Sequence, residues 1–259
     1  MINDFFKPFF SGIFLESKLQ TSSRMFEFIY KMFGEGSATI PKAGIEEIPK
    51  QLFRSLKHTT LKVNTKVLFV NDNEIVLDYD RKLESDFTIV ATNTNNLFPD
   101  KKEKVIEWKS CYTLYFETED KVIEKQLIGL IAKENTLINN IFYHTSLGMT
   151  VKTSKQLLSV TIIDEQNLST EKLVEEAKEE LRKYCNIDSC NFIKYYKIPM
   201  ALPKLTNLKY EKMPEETALT DYIFLAGDTQ LNGSLNAAMI SGEKAALGVI
   251  EAITQKNKK

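Results

Sequence analysis

The residues of this chain best suited to chemistry are Gly227-Asp228 and, a few positions on, Ser234-Leu235-Asn236. A short apolar run at 222–226 precedes them, with the length and composition of a buried strand. Residues 229–233 read as a loop, and Ser234 reads as the N-cap of a helix. A helix start brought up to the end of a strand offers free N–H groups and the positive end of a dipole, which together favour a phosphate. Asp228, at the carboxyl end of the strand, stands where a carboxylate can accept hydrogen bonds from sugar hydroxyls. A strand, turn and helix joined by an ordinary polar loop has the same pattern, so this stretch alone leaves both readings open.

Other chemistries find little support. The two histidines, His58 and His144, and the three cysteines, Cys111, Cys185 and Cys190, have no metal-site spacing. With two histidines and no supporting motif, neither a Ser-His-Asp nor a Cys-His arrangement can be argued. Three sparse cysteines fit a reducing compartment, and the expectation is a cytoplasmic protein with buried thiols. Basic and acidic residues number 34 and 35, well mixed, so charge gives no reason to propose nucleic acid as a partner. The N-terminus is aromatic but carries Asp4, Lys7 and Pro8, which argues against a signal peptide. No apolar run of about 18 residues is present to span a membrane.

The elements that must position these residues follow from periodicity. Phe5, Phe6, Phe9, Phe10, Phe14 and Leu15 make a dense apolar entry segment, broken by Pro8 and Gly12. Helices are expected over 24–33, stopped by Gly34-Glu35-Gly36, and over 44–56, with Pro49 near the first turn. Short strands at 61–63, 67–70 and 74–77 read as an antiparallel meander, and 87–92 as a buried strand. Half-buried strands follow at 111–116, 127–132, 138–143 and 157–163, then a helix from Ser169-Thr170 through Cys185 and a strand-like stretch at 192–203. On the last helix Leu235, Ala238, Met239, Gly242, Ala245, Ala246, Val249 and Ile253 share one face, much of it small enough to lie close against a sheet. The fold class is α/β with α+β mixing. Two textures suggest interleaved lobes, one of 34–95 plus 204–259 and the other of 1–33 plus 96–203.

At the level of the whole chain, four stretches carry a resemblance. They are PFFSGIFLESKLQTSSRMFEFIYKMF, GSATIPKAGIEEIPKQL, VNTKVLFV with DFTIVAT, and FLAGDTQLNGSLNAAMISGEKAA. In this order they resemble the C-terminal half to two-thirds of flavin-dependent oxidoreductases of the amine oxidase, phytoene desaturase and protoporphyrinogen oxidase type. The resemblance implies a partial Rossmann-like FAD-binding lobe interleaved with a substrate lobe built on a mixed or antiparallel sheet. It implies that the Val67 backbone meets the adenine ring and that Ala91 and Thr92 lie beside the cofactor's middle. Asp228, with Gly227 before it, would bind the ribityl chain or pyrophosphate. Ser234, Leu235 and Asn236 would direct N–H groups at the pyrophosphate or the flavin O2 region. Val67, Ala91 and Leu235 would serve equally as ordinary core residues, whereas Asp228 and Asn236 are polar groups that need partners.

The resemblance also has a gap. Such proteins carry G-x-G-x-x-G after a first strand, with an acidic residue about 20 positions later. None of the ten glycines here completes that spacing; Gly34 and Gly36 come nearest, with Thr39 in the third place. The FAD site is thus expected to be incomplete within this chain. The chain reads as a piece of a split enzyme, a truncated product or a remnant that no longer binds flavin. The expected partners are a second copy or a chain supplying the first nucleotide-binding unit, together with a small-molecule substrate. The expected activity is transfer of a hydride equivalent from an amine-like or apolar polyene substrate to FAD. The alternatives are a non-catalytic binding or regulatory module and, through the Phe-rich entry segment, a peripheral membrane module. No catalytic residue is assigned. Lys109 lies on the strand where several relatives use a lysine, but Cys111 takes the matching position, and a solvated lysine is the plainer reading. Tyr112, Tyr115, Phe142, Tyr143, Tyr195 and Tyr196 are candidates to line a substrate cavity or to be core.

Overall fold

A computed structural model describes residues 1–98, 105–148, 154–163 and 168–258. In chain order the elements are helices α1 (Lys7–Phe14), α2 (Ser23–Glu35) and α3 (Glu47–Arg54), then strands β1 (Val67–Val70), β2 (Glu74–Leu77), β3 (Lys82–Glu84), β4 (Thr88–Val90), β5 (Trp108–Thr118), β6 (Gly129–Leu130), β7 (Ile138–Tyr143) and β8 (Gln156–Ile163). Helix α4 (Thr170–Cys185), strands β9 (Asn191–Pro203) and β10 (Ile223–Leu225), and helix α5 (Leu235–Lys256) complete the chain. Two compact units share it, one of 1–38 and 108–202, the other of 39–107 and 203–259.

The first unit is built on a five-stranded sheet in the order β6-β7-β8-β5-β9. Strand β8 pairs antiparallel with β5 over eight residues, from Cys111 opposite Ile163 to Thr118 opposite Gln156. Alternation sends Leu114 and Phe116 of β5 and Leu158, Val160 and Ile162 of β8 to one face. There α4 covers them with Leu173, Ala177 and Leu181, which are 0–2 % exposed. The ends of α4 are chemically defined: Ser169 Oγ accepts from Lys172 N–H, and Asn186, at φ 56°, closes it in the left-handed region. Glu180 fixes its seating by accepting the N–H groups of Leu137 and Ile138 at 2.8 and 2.9 Å. Removing a side chain such as Leu181 from this layer costs about 2–5 kcal/mol.

The entry segment, expected to be broken at Pro8 and Gly12, is helical instead. Pro8 lies in the first turn of α1, where its missing N–H costs little. Gly12 is where β7 comes close, since a Cβ there would run into the Asn139 side-chain oxygen. Asn139 Nδ2 also donates to the Pro8 carbonyl at 2.9 Å. Helix α2 packs its aromatic side on α1, with Phe10 and Phe26 ring centres 4.6 Å apart and Phe9 and Phe33 at 5.3 Å.

The second unit holds the antiparallel meander β1-β2-β3 and a parallel pair, β4 and β10. Residues 61–63, expected as a meander strand, are exposed and unpaired in any ladder, and Lys82–Glu84 takes the third place. The reason is connectivity: a left-handed Tyr79 at φ 57° turns the chain straight back, so that Leu83 pairs with Ile75. The expected 127–132 strand shortens to Gly129–Leu130. Helix α3 is trimmed to Glu47–Arg54, with Pro49 in its first turn. One face of the parallel pair packs Val90 and Ile223 against Val70 and Phe98; the other packs Phe224 and Ala226 against Ala245 of α5.

The face that α5 turns to the sheet is not the one its apolar periodicity indicates. Its buried residues are Ala237, Ser241, Ala245 and Gly248, while Leu235 and Met239 are about half exposed. Close approach selects the smallest side chains. A Cβ at Gly248 would meet the Pro214 carbonyl at 2.8 Å and the Phe224 ring at 3.0 Å.

Candidate functional site

Because β4 and β10 run parallel with Val90 opposite Leu225, their carboxyl ends lie at one edge of the sheet. Ala91 and Thr92 leave β4 there, exposed, and Gly227 and Asp228 leave β10 beside them. The Val90 carbonyl accepts from Ala226 N–H at 2.9 Å, which holds the two exits in register. The carboxyl end of parallel strands is where open α/β sheets gather their ligands.

The turn after β10 needs glycine, since Gly227 has φ 113°. It is clamped from α5 by Ser241, which is fully buried: Gly227 N–H donates to Ser241 Oγ at 2.8 Å. The Ser241 hydroxyl has the Gly227 and Ala238 carbonyls as acceptors, each at 2.9 Å. Asp228 is half-buried, and burial pushes its carboxyl pKa upward against the N–H groups of Thr229 and of Asp228 itself. The loop closes as Leu231 and Gly233 N–H donate to the Asp228 carbonyl.

At the start of α5, Ser234 Oγ accepts from Ala237 N–H at 3.1 Å and donates to Asn232 Oδ1 at 2.7 Å. The Ser234 side chain is therefore committed to capping its own helix. Leu235 and Asn236, the first two residues of the helix, are both exposed, and no hydrogen bond from their N–H groups is found among the described residues. Val67 is placed elsewhere, at the start of β1 opposite Leu77 in the meander. Val67, Ala91 and Leu235 are all exposed, so none of the three is a core residue.

Three further residues support this edge. Ser241 clamps the turn. Asn232, 8 % exposed, holds the loop by donating to the Lys209 carbonyl at 3.3 Å. Lys212 donates to Gln230 Oε1 at 2.9 Å, and burial, aided by Lys209, lowers its pKa. A polar residue on the small-residue side of a helix was the available signal for Ser241.

In the first unit the six aromatic candidates divide. Tyr112 and Tyr143 belong to the core under α4. Tyr115, Phe142 and Tyr196 gather on the opposite face: Tyr115 lies 5.8 Å and Phe142 5.3 Å from the His144 ring, and Tyr196 stands edge-on to Tyr115 at 6.0 Å. Tyr195 is exposed. Ser159 Oγ donates to the Phe142 carbonyl at 3.3 Å and pairs with His144 Nε2 at 3.0 Å, so the ring presents an N–H to it. In that arrangement the histidine is no base for the serine. Burial lowers the His144 pKa and keeps the ring neutral.

Lys109 is not solvated as expected. Its ammonium donates to the Phe14 carbonyl (2.9 Å), Glu16 Oε2 (2.6 Å) and Thr21 Oγ1 (3.1 Å), and both charged side chains are 15 % exposed. Burial works to raise the Glu16 pKa, but hydrogen bonds from Lys109 and Thr21 outweigh it and hold the carboxyl below its ordinary value. All three ammonium protons are used, which makes Lys109 a tie between β5 and the end of α1. Among the described residues no cluster of metal-ligating side chains occurs, and no helix is long and apolar enough to cross a membrane.

Comparison with known proteins gives a consistent answer. The sequence model of the family described as flavin containing amine oxidoreductase matches residues 1–250. Among solved structures, an oxidoreductase from Methanosarcina mazei shares 17 % identity at a TM-score of 0.67, over 96 % of this chain and 64 % of that one. A candidate protoporphyrinogen oxidase from Exiguobacterium sp. 255-15 shares 15 % at 0.63, over 82 % and 52 %. A putrescine oxidase redesigned in its cofactor binding shares 12 % at 0.55, over 81 % and 53 %. The chain thus spans about half to two-thirds of the length of these structures. Among curated proteins, none matches.

Proposed function

The chain belongs to the flavin containing amine oxidoreductase family, and from that premise we propose that its second unit holds part of an FAD and that the protein works as an FAD-dependent oxidoreductase or as a component of one. The supporting observation is the shared carboxyl edge of β4 and β10, where the Asp228 carboxylate and the two uncommitted N–H groups at the start of α5 follow one another along the chain. These donors and this acceptor fit an anionic nucleotide with hydroxyls. Leu235 and Asn236 N–H would take a phosphate or the flavin O2 edge, and Asp228 the ribityl or pyrophosphate region. Ala91 and Thr92 would border the cofactor's middle, and Val67 the adenine.

Bound flavin supplies the redox chemistry, accepting a hydride equivalent from the substrate. This chain's residues bind and orient. Ser241 fixes the turn that presents Asp228, and Ser234 fixes the first turn of α5. In the first unit, Tyr115, Phe142 and Tyr196 around a neutral His144 offer an uncharged aromatic face suited to an amine-like or apolar substrate. A second reading is a binding module of this fold that does not hold FAD.

Titrating the purified chain with FAD and following flavin fluorescence separates these readings. Saturable binding is expected, weakened about tenfold by Asp228→Ala through loss of one charge-assisted hydrogen bond. Equal affinity in wild type and D228A removes Asp228 from the site. No binding by either protein leaves the non-catalytic module.

A further inference from the structure

Lys212, in the second unit, is half-buried and carries a charge that its surroundings do not answer. An ammonium has three protons to donate. Among the described residues Lys212 donates once, to the neutral Gln230 Oε1 at 2.9 Å, and makes no ion pair. The carboxylate that acts on it, Glu216, is already engaged: it accepts from Lys209 Nζ at 2.9 Å and from Met213 N–H at 2.7 Å. Asp228 is no counter-ion either, since neither residue perturbs the titration of the other.

Lys109 shows how the same chain completes a lysine that it keeps for structure. There a carboxylate, a carbonyl and a hydroxyl take all three protons. Withdrawing an ammonium from water without an anion is costly. A group left in that condition on a loop at a ligand-gathering edge points to a site.

The segment carrying Lys212 is fastened to the loop that follows Asp228. Lys209 N–H donates to the Leu231 carbonyl at 3.1 Å, and Asn232 Nδ2 donates to the Lys209 carbonyl at 3.3 Å. The same Asn232 accepts from Ser234 Oγ at 2.7 Å, so one side chain links this segment to the cap of α5. On the other side of Lys212, the buried Thr217 donates to the Pro214 carbonyl at 2.6 Å. Lys212 is thus presented from a segment held on both sides and tied to the helix start, where the Leu235 and Asn236 N–H groups are also uncommitted.

We propose that Lys212 is a pyrophosphate-binding residue, its ammonium taking a phosphate oxygen of the nucleotide that the α5 amides receive. The inference rests on the reading that this edge holds FAD. Oxidised FAD carries its formal negative charge on the pyrophosphate, so that is the group an unanswered ammonium selects; lysine binds phosphate as a point charge. The phosphate gives Lys212 what Glu16 gives Lys109, and Gln230 holds the ammonium in place beforehand. Lys209, closed by Glu216, takes no part.

Isotope-labelled dimethylation of the full chain keeps lysine charge and gives Lys212 an NMR signal, assigned by its absence from K212R. Inorganic pyrophosphate and FAD are each expected to shift that signal and raise the Lys212 pKa. Riboflavin, the same ring without phosphate, is expected to leave both unchanged. In fluorescence titrations Lys212→Met is expected to weaken FAD at least tenfold and riboflavin less than threefold, with K212R within threefold of wild type for FAD. Equal FAD affinity in wild type and K212M, equal weakening of FAD and riboflavin, or a Lys212 signal that pyrophosphate does not move overturns the proposal and leaves the FAD reading in place. No FAD binding by the wild type overturns that reading and this proposal with it.

Discussion

Ser241→Ala takes one oxygen out of a site that solvent does not reach, and its cost can be worked from the geometry. The Ser241 side chain is fully buried, accepts Gly227 N–H at 2.8 Å and gives its proton to one of two carbonyls at 2.9 Å. The Ala238 carbonyl lies within α5 and keeps its helical bond, so its loss is small. The Gly227 N–H has no alternative acceptor among the described residues. An unmade bond at a buried donor costs about 1–3 kcal/mol, and about 2 kcal/mol corresponds to a thirtyfold rise in the local opening constant. Hydrogen exchange reads this directly: the Gly227 amide should exchange about thirtyfold faster, and the amides of β10 should follow it. Thr254→Ala is the control. Its hydroxyl donates to the Ile250 carbonyl on the exposed side of the same helix, and its loss should stay within about 0.5 kcal/mol. A change at Gly227 smaller than threefold in S241A, or an equal change in T254A, would refute the clamp.

Three further outcomes are expected. Gly248→Ala introduces a Cβ at 2.8 Å from the Pro214 carbonyl and 3.0 Å from the Phe224 ring, and should destabilise the second unit by about 1–3 kcal/mol; unchanged denaturant protection of its amides would contradict this. Glu16, whose carboxyl titrates below its ordinary value in the Lys109 cluster, stabilises the first unit fully above the unfolded glutamate pKa of about 4.3. That stabilisation is lost as pH falls from there through the lower folded value, so Glu16→Gln should flatten the acid limb of a thermal-stability profile. Burial pushes the Cys185 thiol up to about 11, so alkylation of Cys185 at pH 8 should be slow and rise about tenfold per pH unit; rapid labelling at pH 8 would mean the site opens.

Much of the architecture was legible in the sequence because its signals are local. Ser169 starts α4 by capping chemistry that acts within a few residues, and alternation along β5, β7 and β8 fixes which side chains meet α4. The Gly227 turn was legible too, since only glycine takes φ 113° comfortably. What escaped depends on partners far along the chain. Gly12 and Pro8 look like helix breakers until Asn139 is placed against them. The strand expected at 61–63 loses to 82–84 because a left-handed Tyr79, invisible to composition, sets the pairing. Periodicity also misjudged the inner face of α5, because it weighs large apolar residues and this contact is made by small ones. Lys109 reads as solvated in the sequence because strand position alone does not reveal an acid supplied by the loop after α1.

The parallel pair joins Val90 to Leu225, two residues separated in sequence by the entire long segment of the other unit. No turn or hairpin can bring such strands together early, and the loop entropy must be spent before the pairing returns anything. On a ribosome, β4 therefore waits as an unpaired apolar strand until Ile223–Leu225 have emerged. Closure of this unit waits on the whole intervening segment, and the interval before it is when the nascent protein is most open to aggregation.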